Sequence, residues 1–421
     1  MKIFLRALCV PVLLVGFLTV SSAAAGAITG NEGLFVGLLP ARIADTRPAP
    51  QNVGVAAGQI PANVAIVVPV AGLGGLPGVS SILAVVLNVT VVNPTGAGFL
   101  TVYPSSSTLP SSSNLNYVGG DLRANQVTVP LGADGAVYVY AGVSPTDVVI
   151  DVNGYFTSAS GSASGASALT SNVTPNRVLD TRPESLVGEQ GPYPANQVHN
   201  FCLGASETAA VVGINVTIVQ PSSDAFLTVF PAGSPQPLAS SVNAKADKIV
   251  SNFVTMTVGA SRCISLFNNV SMHVVVDVFG RWSTPVANQG RFVALASLTR
   301  LYDTRPNSGI SPNGVTSPGR AVDLQIGGLI SIPAGVRGVL FNLTAVDAFD
   351  PGYLTAYSAA VCPRPVVSNV NYIPEQAIPN TVLSAIGTSC EGSPAKSDAV
   401  SIYHHAGGYF IVDVAGYFTA S

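Results

Sequence analysis

Three copies of one phrase constrain this chain more than anything else in it. Asp45-Thr46-Arg47-Pro48, Asp180-Thr181-Arg182-Pro183 and Asp303-Thr304-Arg305-Pro306 each open a segment of about 110–130 residues. Each segment closes on a matching phrase: Asp151-Val152-Asn153-Gly154-Tyr155-Phe156, Asp277-Val278-Phe279-Gly280-Arg281-Trp282 and Asp413-Val414-Ala415-Gly416-Tyr417-Phe418. A period of that length is too long for a solenoid unit and suits a small domain. The 421 residues hold three such units, in line with the domain count expected from length.

Inside each segment the same landmarks recur in order. An apolar stretch carries Asn88-Val89-Thr90, Asn215-Val216-Thr217 or Asn342-Leu343-Thr344. An aromatic-Leu-Thr stretch follows: Phe99-Leu100-Thr101, Phe226-Leu227-Thr228 and Tyr353-Leu354-Thr355. Then come Asn116, Asn243 and Asn371, at 28, 28 and 29 residues from the first asparagine, and finally Asn125, Asn252 and Asn380. The stretches are short, rich in Val, Ile, Thr, Tyr and Phe, and broken by Gly, Pro, Ser and Asn. That pattern predicts about eight strands per segment and no substantial helix. The expected architecture is all-β: three tandem antiparallel β-sandwich modules, Ig-like or jelly-roll-like.

The run Leu87-Asn88-Val89-Thr90, the Phe99-Leu100-Thr101-Val102-Tyr103-Pro104 strand, Asn114-Leu115-Asn116 and the closing Asp151-Val152-Asn153-Gly154-Tyr155-Phe156 together resemble repeat modules of secreted and surface proteins of actinobacteria and related bacteria. Such modules occur in tandem or appended to hydrolase domains. The resemblance covers nearly the whole mature chain and implies an exported accessory or surface module, without catalytic residues to carry over. The second segment departs most, with Arg281-Trp282 for Tyr-Phe and Ser241-Val242-Asn243 for Asn-Leu-Asn.

The ends and the composition point outside the cell. Lys2 and Arg6 precede an apolar run of about 13 residues and Ala23-Ala24-Ala25, the layout of a secretory signal; roughly 20 residues are needed to span a bilayer. The expected division is a signal peptide at 1–27, modules at 28–157, 172–283 and 291–421, a flexible Ser/Gly/Ala linker at 158–171 and a short linker at 284–290. Only 9% of residues are charged, against roughly 25% in an ordinary soluble protein. Eighteen basic residues against 21 acidic ones give no cationic field, so nucleic acid is not an expected partner, and membrane insertion is not expected. Beyond Cys9, in the signal, Cys202, Cys263, Cys362 and Cys390 fall as two local pairs and predict a disulfide within each of the last two modules.

The recurring polar residues admit two readings. Asp151, Asp277 and Asp413 lie in apolar strands and need partners; Arg47, Arg182 and Arg305, beside Asp45, Asp180 and Asp303, are the natural candidates. Strict alternation puts Asp45 and Arg47 on one strand face and Arg42 on the other. The set reads mainly as a structural clasp fastening the first strand to the last, and otherwise as a ligand patch. Asn88, Asn215 and Asn342 match glycosylation acceptors but lie in the most apolar strands, so they read as satisfying neighbouring loop backbone. Asn116, Asn125 and their counterparts read as turn residues. His199, His273, His404 and His405 show no metal-ligand spacing, and no catalytic motif is present; no catalytic residue, metal or cofactor is expected. The expected function is a secreted, non-enzymatic structural or adhesive component of the bacterial surface or matrix, with carbohydrate binding (cell-wall glycan or polysaccharide) as the alternative. Surface proteins or polysaccharides are the expected partners. A third arrangement, modules closed about a pseudo-threefold axis in an assembly role, is disfavoured by the loose first linker.

Overall fold

In the computed structural model, residues 32–161, 163–171, 174–204, 208–287, 289–310, 314–390 and 395–420 are described; the expected signal peptide and Cys9 lie outside them. The first repeat has eight strands: β1 (Phe35–Asp45), β2 (Val64–Pro69), β3 (Ile82–Val92), β4 (Gly98–Pro104), β5 (Leu115–Tyr117), β6 (Leu122–Val129), β7 (Ala136–Gly142) and β8 (Asp147–Thr157). A short β9 (Ala168–Ser171) follows. The second repeat has β10 (Asn176–Asp180), β11 (Gln197–Cys202), β12 (Val211–Val219), β13 (Ala225–Pro231), β14 (Val242–Ala244), β15 (Ile249–Thr257), β16 (Cys263–Asn268) and β17 (His273–Ser283). The third has β18 (Phe292–Asp303), β19 (Arg320–Gln325), β20 (Gly338–Val346), β21 (Gly352–Ser358), β22 (Val370–Tyr372), β23 (Ile378–Ala385), β24 (Ala399–His404) and β25 (Tyr409–Phe418).

Each repeat forms two antiparallel sheets, ordered β1-β8-β3-β6 and β2-β7-β4-β5 in the first, with the equivalent orders in the other two. The paired sheets share a core: Val85, Leu87, Val89 and Val91 of β3 meet Leu100, Val102, Val137 and Val139. The alternate residues of β3 are buried as well. Ala84 and Val86 join Phe35 and Phe156 in a second core that also draws Val211, Phe253, Phe279 and Trp282 from the second repeat and Phe292, Leu340, Leu383 and Phe418 from the third. Phe156 stacks on Phe292 with centroids 4.2 Å apart, and Trp282 lies edge-on to Phe418 at 5.9 Å.

The expectation of three tandem β-sandwich modules is corrected by this second core. The chain is all-β, but its six small sheets close into a propeller-like ring about a common centre, and the repeats do not stand apart. The physical reason lies in the strands that line the axis. A sheet with one wet face alternates apolar and polar residues, whereas one covered on both faces reads as a continuous apolar run. β3 is such a run, and β8, although it carries Asp147, Asp151, Asn153 and Thr157, is buried at every residue. Ring closure supplies the second cover.

The stretch read as a flexible linker takes part in this closure. Ser167 exchanges backbone hydrogen bonds with Phe35, β9 pairs with β17, and Leu169 is fully buried in the central core. Gly290, from the short second linker, receives the Leu169 N–H at 2.9 Å and donates to Thr419. Its φ of +66° and the Leu169 carbonyl standing where a Cβ would have to go leave room for glycine only.

Both expected disulfides are present, Cys202–Cys263 and Cys362–Cys390. The first joins directly opposed residues of β11 and β16. No helix among the described residues is long and apolar enough to cross a membrane.

Candidate functional site

The clasp exists in all three repeats, but its central arginine is not the one expected. Arg42 lies opposite Asp151 in the β1–β8 ladder, and the register slips between Arg42 and Ala44. The slip is a bulge at Ile43. It breaks the two-residue alternation and brings Arg42 and Asp45 onto one face. Arg42 then grips Asp151 through Nε (2.9 Å) and Nη2 (3.3 Å) and reaches Asp45 through Nη1 at 3.3 Å. Arg47 bonds Asp45 alone, through Nε at 3.0 Å and Nη2 at 2.6 Å. The expectation that Arg47, Arg182 and Arg305 pair with the closing aspartates is therefore corrected: Arg42, Arg177 and Arg300 do so.

The other repeats reproduce the geometry. Arg177 bonds Asp277 (2.9 and 3.2 Å) and Asp180 (3.0 Å), and Arg182 bonds Asp180. Arg300 bonds Asp413 (2.9 and 3.2 Å) and Asp303 (3.5 Å), and Arg305 bonds Asp303. From the opposite face, the Thr46, Thr181 and Thr304 hydroxyls accept the N–H of Val148, Val274 and Phe410. The threonine of the phrase thus ties first strand to last, while its aspartate and arginine brace the arginine that grips the closing aspartate. A sequence signal for the missed arginines was present, since each stands three residues before the phrase's aspartate.

Burial pushes the Asp151, Asp277 and Asp413 carboxyls above the usual range, against the opposing pull of the arginine facing each. Burial acts the same way at Asp180 and Asp303, but hydrogen bonds from Arg182 and Arg305 outweigh it and hold those carboxyls below the usual range. No solvent reaches Asp45 or Asp151, which are fully buried.

The recurring asparagines meet partners in the next repeat. Asn88 donates to the Ser240 carbonyl at 2.6 Å and accepts from Asn252 at 2.7 Å; Asn252 also donates to the Ser241 carbonyl and accepts the Gln126 N–H. Asn215 repeats this with Ser368 and Asn380, and Asn380 accepts the Phe253 N–H at 3.0 Å. Asn342 repeats it with Ser113 and Asn125, and Asn125 accepts the Thr381 N–H at 3.0 Å. First to second, second to third and third to first, the bonds close a belt about a pseudo-threefold axis. Each of the six amides is at most 3% exposed, so none presents a glycan acceptor.

Asn116 and Asn243 accept from the Ser113 and Ser240 hydroxyls beside the belt, while Asn371 donates across the interface to Ser251 at 3.2 Å. Clasp and belt also touch, for Ser368 N–H reaches Asp277 at 3.5 Å.

Along the axis, the aromatic cluster lies at one end of β3, β12 and β20, and the belt at mid-strand. At the other end a cleft of about 600 Å³ opens between the repeats. Its walls include Arg177, Arg182 and Thr217 of the second repeat, Ser368, Asn371 and Gln376 of the third, and Asp121 and Arg123 of the first. Among the described residues, no group of three or more His, Cys, Asp or Glu could hold a metal ion.

His404 is fully buried, with Nδ1 2.8 Å from the Tyr372 hydroxyl, which also accepts the Ala406 N–H. Burial, aided by the neighbouring His405, pushes its pKa down to about 4. A histidine lowered in the fold leaves the unfolded chain to take up the proton first as pH falls, so its contribution is whole above the unfolded value near 6.5 and is lost on the way down to about 4. The loss is about 3 kcal/mol. Denaturant unfolding between pH 7 and pH 4 should show it, and His404→Gln should flatten that part of the profile; an identical profile in the variant would remove His404 as its source.

No protein-family model and no curated protein matches the chain. Among solved structures, it is similar to the CBM22-1-CBM22-2 tandem domain of Paenibacillus barcinonensis Xyn10C, at 13% identity over 62% of this chain and 99% of that one, with a TM-score of 0.16. It is also similar to a chain of Sulfolobus Turreted Icosahedral Virus, at 10% identity over 94% and 98% with a TM-score of 0.17. A third, with a triple jelly roll fold from an archaeal virus turret, stands at 10% identity over 94% and 97%, also at 0.17. Likenesses of this strength carry no argument about what this chain does.

Proposed function

We propose that the protein is an exported, non-enzymatic structural or adhesive component of a bacterial surface or extracellular matrix, and that its working unit is the closed three-repeat body. The observation that carries this reading is where the recurring polar residues are spent. The aspartates, arginines and asparagines repeated through the sequence bond one another, within repeats and between them. The paired carboxylates Asp45 and Asp151 share one guanidinium and are both buried, which suits a fastening better than proton transfer to a substrate. The two disulfides fit an oxidising compartment.

The test is fractionation of the producing cell with thiol trapping. The protein is expected in the wall-bound or extracellular fraction with both cross-links formed, and cells lacking it should lose surface cohesion or attachment. Recovery from the cytoplasm with four free thiols would overturn the reading. So would hydrolysis of a glycan by the purified protein.

A further inference from the structure

The axial cleft breaks the threefold symmetry that the clasp and belt keep. Three equivalent turns meet at its rim, and their sequences differ: Gly119-Gly120-Asp121, Ala246-Asp247-Lys248 and Pro374-Glu375-Gln376. The two glycines lower the first wall; a Cβ on Gly120 would meet nothing within 4 Å. Lys245, Asp247 and Lys248 enter from the second turn, and amide and hydroxyl groups from the third repeat. At about 600 Å³ the cleft has the size of a small-molecule site, where apolar walls surround a few convergent polar groups.

Its hydrogen-bonding capacity is only partly used. Arg177 is fully committed to Asp180 and Asp277, and Lys245 to Asp224 at 2.8 Å. Arg182 holds Asp180 through Nε and Nη2 and lies 3.9 Å from Glu184, leaving Nη1 without a hydrogen bond among the described residues. Lys248, exposed at the rim, has no ion pair or side-chain hydrogen bond among the described residues. Deeper in, Thr217 is 3% exposed, and its hydroxyl has no partner among the described residues. Val216 and Ile218 point into the repeat's own core, so Thr217 shares the cleft-facing side of β12 with Asn215, which bonds Ser368 across the interface. Thr90, at the same position in the first repeat, is likewise unpartnered; what sets Thr217 apart is the cavity beside it. Ile249, 48% exposed at the rim, and Val219 supply an apolar strip.

We propose that this cleft binds a short acidic saccharide. Its carboxylate pairs with Lys248 and the free edge of Arg182, its hydroxyls with Thr217 and Asn371, and a C–H face of the ring with Ile249 and Val219. A bare anion uses only the cations, and a neutral sugar leaves them unmatched. The proposal goes beyond the structural role, which stands on clasp and belt and survives without it.

The experiment is isothermal titration calorimetry of the full mature chain with trigalacturonate, with a neutral trisaccharide and inorganic phosphate at matched ionic strength as comparators. Trigalacturonate should bind at least about tenfold more tightly than either comparator. Lys248→Ala, at an exposed rim position, should weaken it by roughly tenfold, as expected for one charge-assisted hydrogen bond. Thr217→Val should also weaken it while the unfolding transition is retained. No binding of trigalacturonate at about 10 mM, near the weak limit of specific recognition, overturns the proposal. Equal affinity for phosphate, equal affinity for the neutral trisaccharide, or full affinity in Lys248→Ala does so too.

Discussion

Replacing Arg42 with alanine is expected to cost about 3–5 kcal/mol of unfolding free energy at neutral pH, the penalty of leaving a buried ion partner uncompensated. Asp151 is fully buried, and Arg42 supplies both hydrogen bonds that it receives from side chains, beside the Ser240 backbone N–H. Arg47→Ala is the internal comparison. Arg47 is about one-third exposed, and Asp45 keeps Arg42 when it is lost; roughly 1–2 kcal/mol is expected there, the worth of a charged hydrogen bond with solvent near. The Arg42→Ala deficit should also narrow as pH falls. Without its guanidinium, the Asp151 carboxyl rises further above its unfolded value of about 3.9. A carboxyl raised in the fold holds the extra proton there first, so the variant gains stability as pH drops toward that value. Urea unfolding of both variants at pH 7 and pH 4.5 measures this. An Arg42→Ala loss no larger than that of Arg47→Ala would contradict the clasp as drawn.

Much of the fold was legible in local pattern, and what escaped did so for identifiable reasons. Short β-branched and aromatic stretches between Gly, Pro and Asn clusters gave the strands, since those residues suit a pleated surface and their separators suit turns. Cysteine pairs confined to one repeat gave the disulfides. The clasp's ends were visible in Asp45 and Asp151, but alternation assigned Arg42 to the wrong face. A one-residue bulge at Ile43 leaves no mark in the alternation itself; the recurrence of Arg42, Arg177 and Arg300 at a fixed distance from each phrase was the available sign.

The belt was harder to see because its bonds join residues far apart in the chain. Asn88 and the Ser240 carbonyl are 152 residues apart, and no spacing within one repeat encodes that pairing. Ring closure did leave a trace. Ile82–Val92 is apolar nearly throughout, where a strand with one wet face would have alternated. The closing Gly-Tyr-Phe carries the same message at finer grain: Tyr155 enters its own repeat's core, while Phe156 enters the common one. The cleft was illegible, because its three walls belong to three repeats that meet only once the ring has formed.

The first repeat produced alone, residues 32–157, is expected not to persist as a folded monomer. It carries no disulfide, and it would present to water a face that the ring keeps dry. Phe35, Val86 and Phe156 are each at most 2% exposed in the whole chain. Burying such side chains contributes roughly 1.5–3 kcal/mol apiece, so their exposure removes about 5–9 kcal/mol. The entire stability of a small domain is about 5–15 kcal/mol. The isolated repeat would also forfeit the Asn88 and Asn125 bonds to its neighbours, leaving amides and backbone groups of a buried strand face to water or to nothing. Calorimetry should show one cooperative transition for the whole chain. The isolated repeat should give no comparable transition, bind a hydrophobic dye, and sediment as self-associated species whose contacts reuse the exposed aromatic face. Phe35→Ser/Phe156→Ser in that fragment should suppress the association without restoring a transition like that of the intact chain. A monomeric fragment melting where the intact chain melts, or three separate transitions in the intact chain, would mean that the repeats are self-sufficient and that the central core adds little.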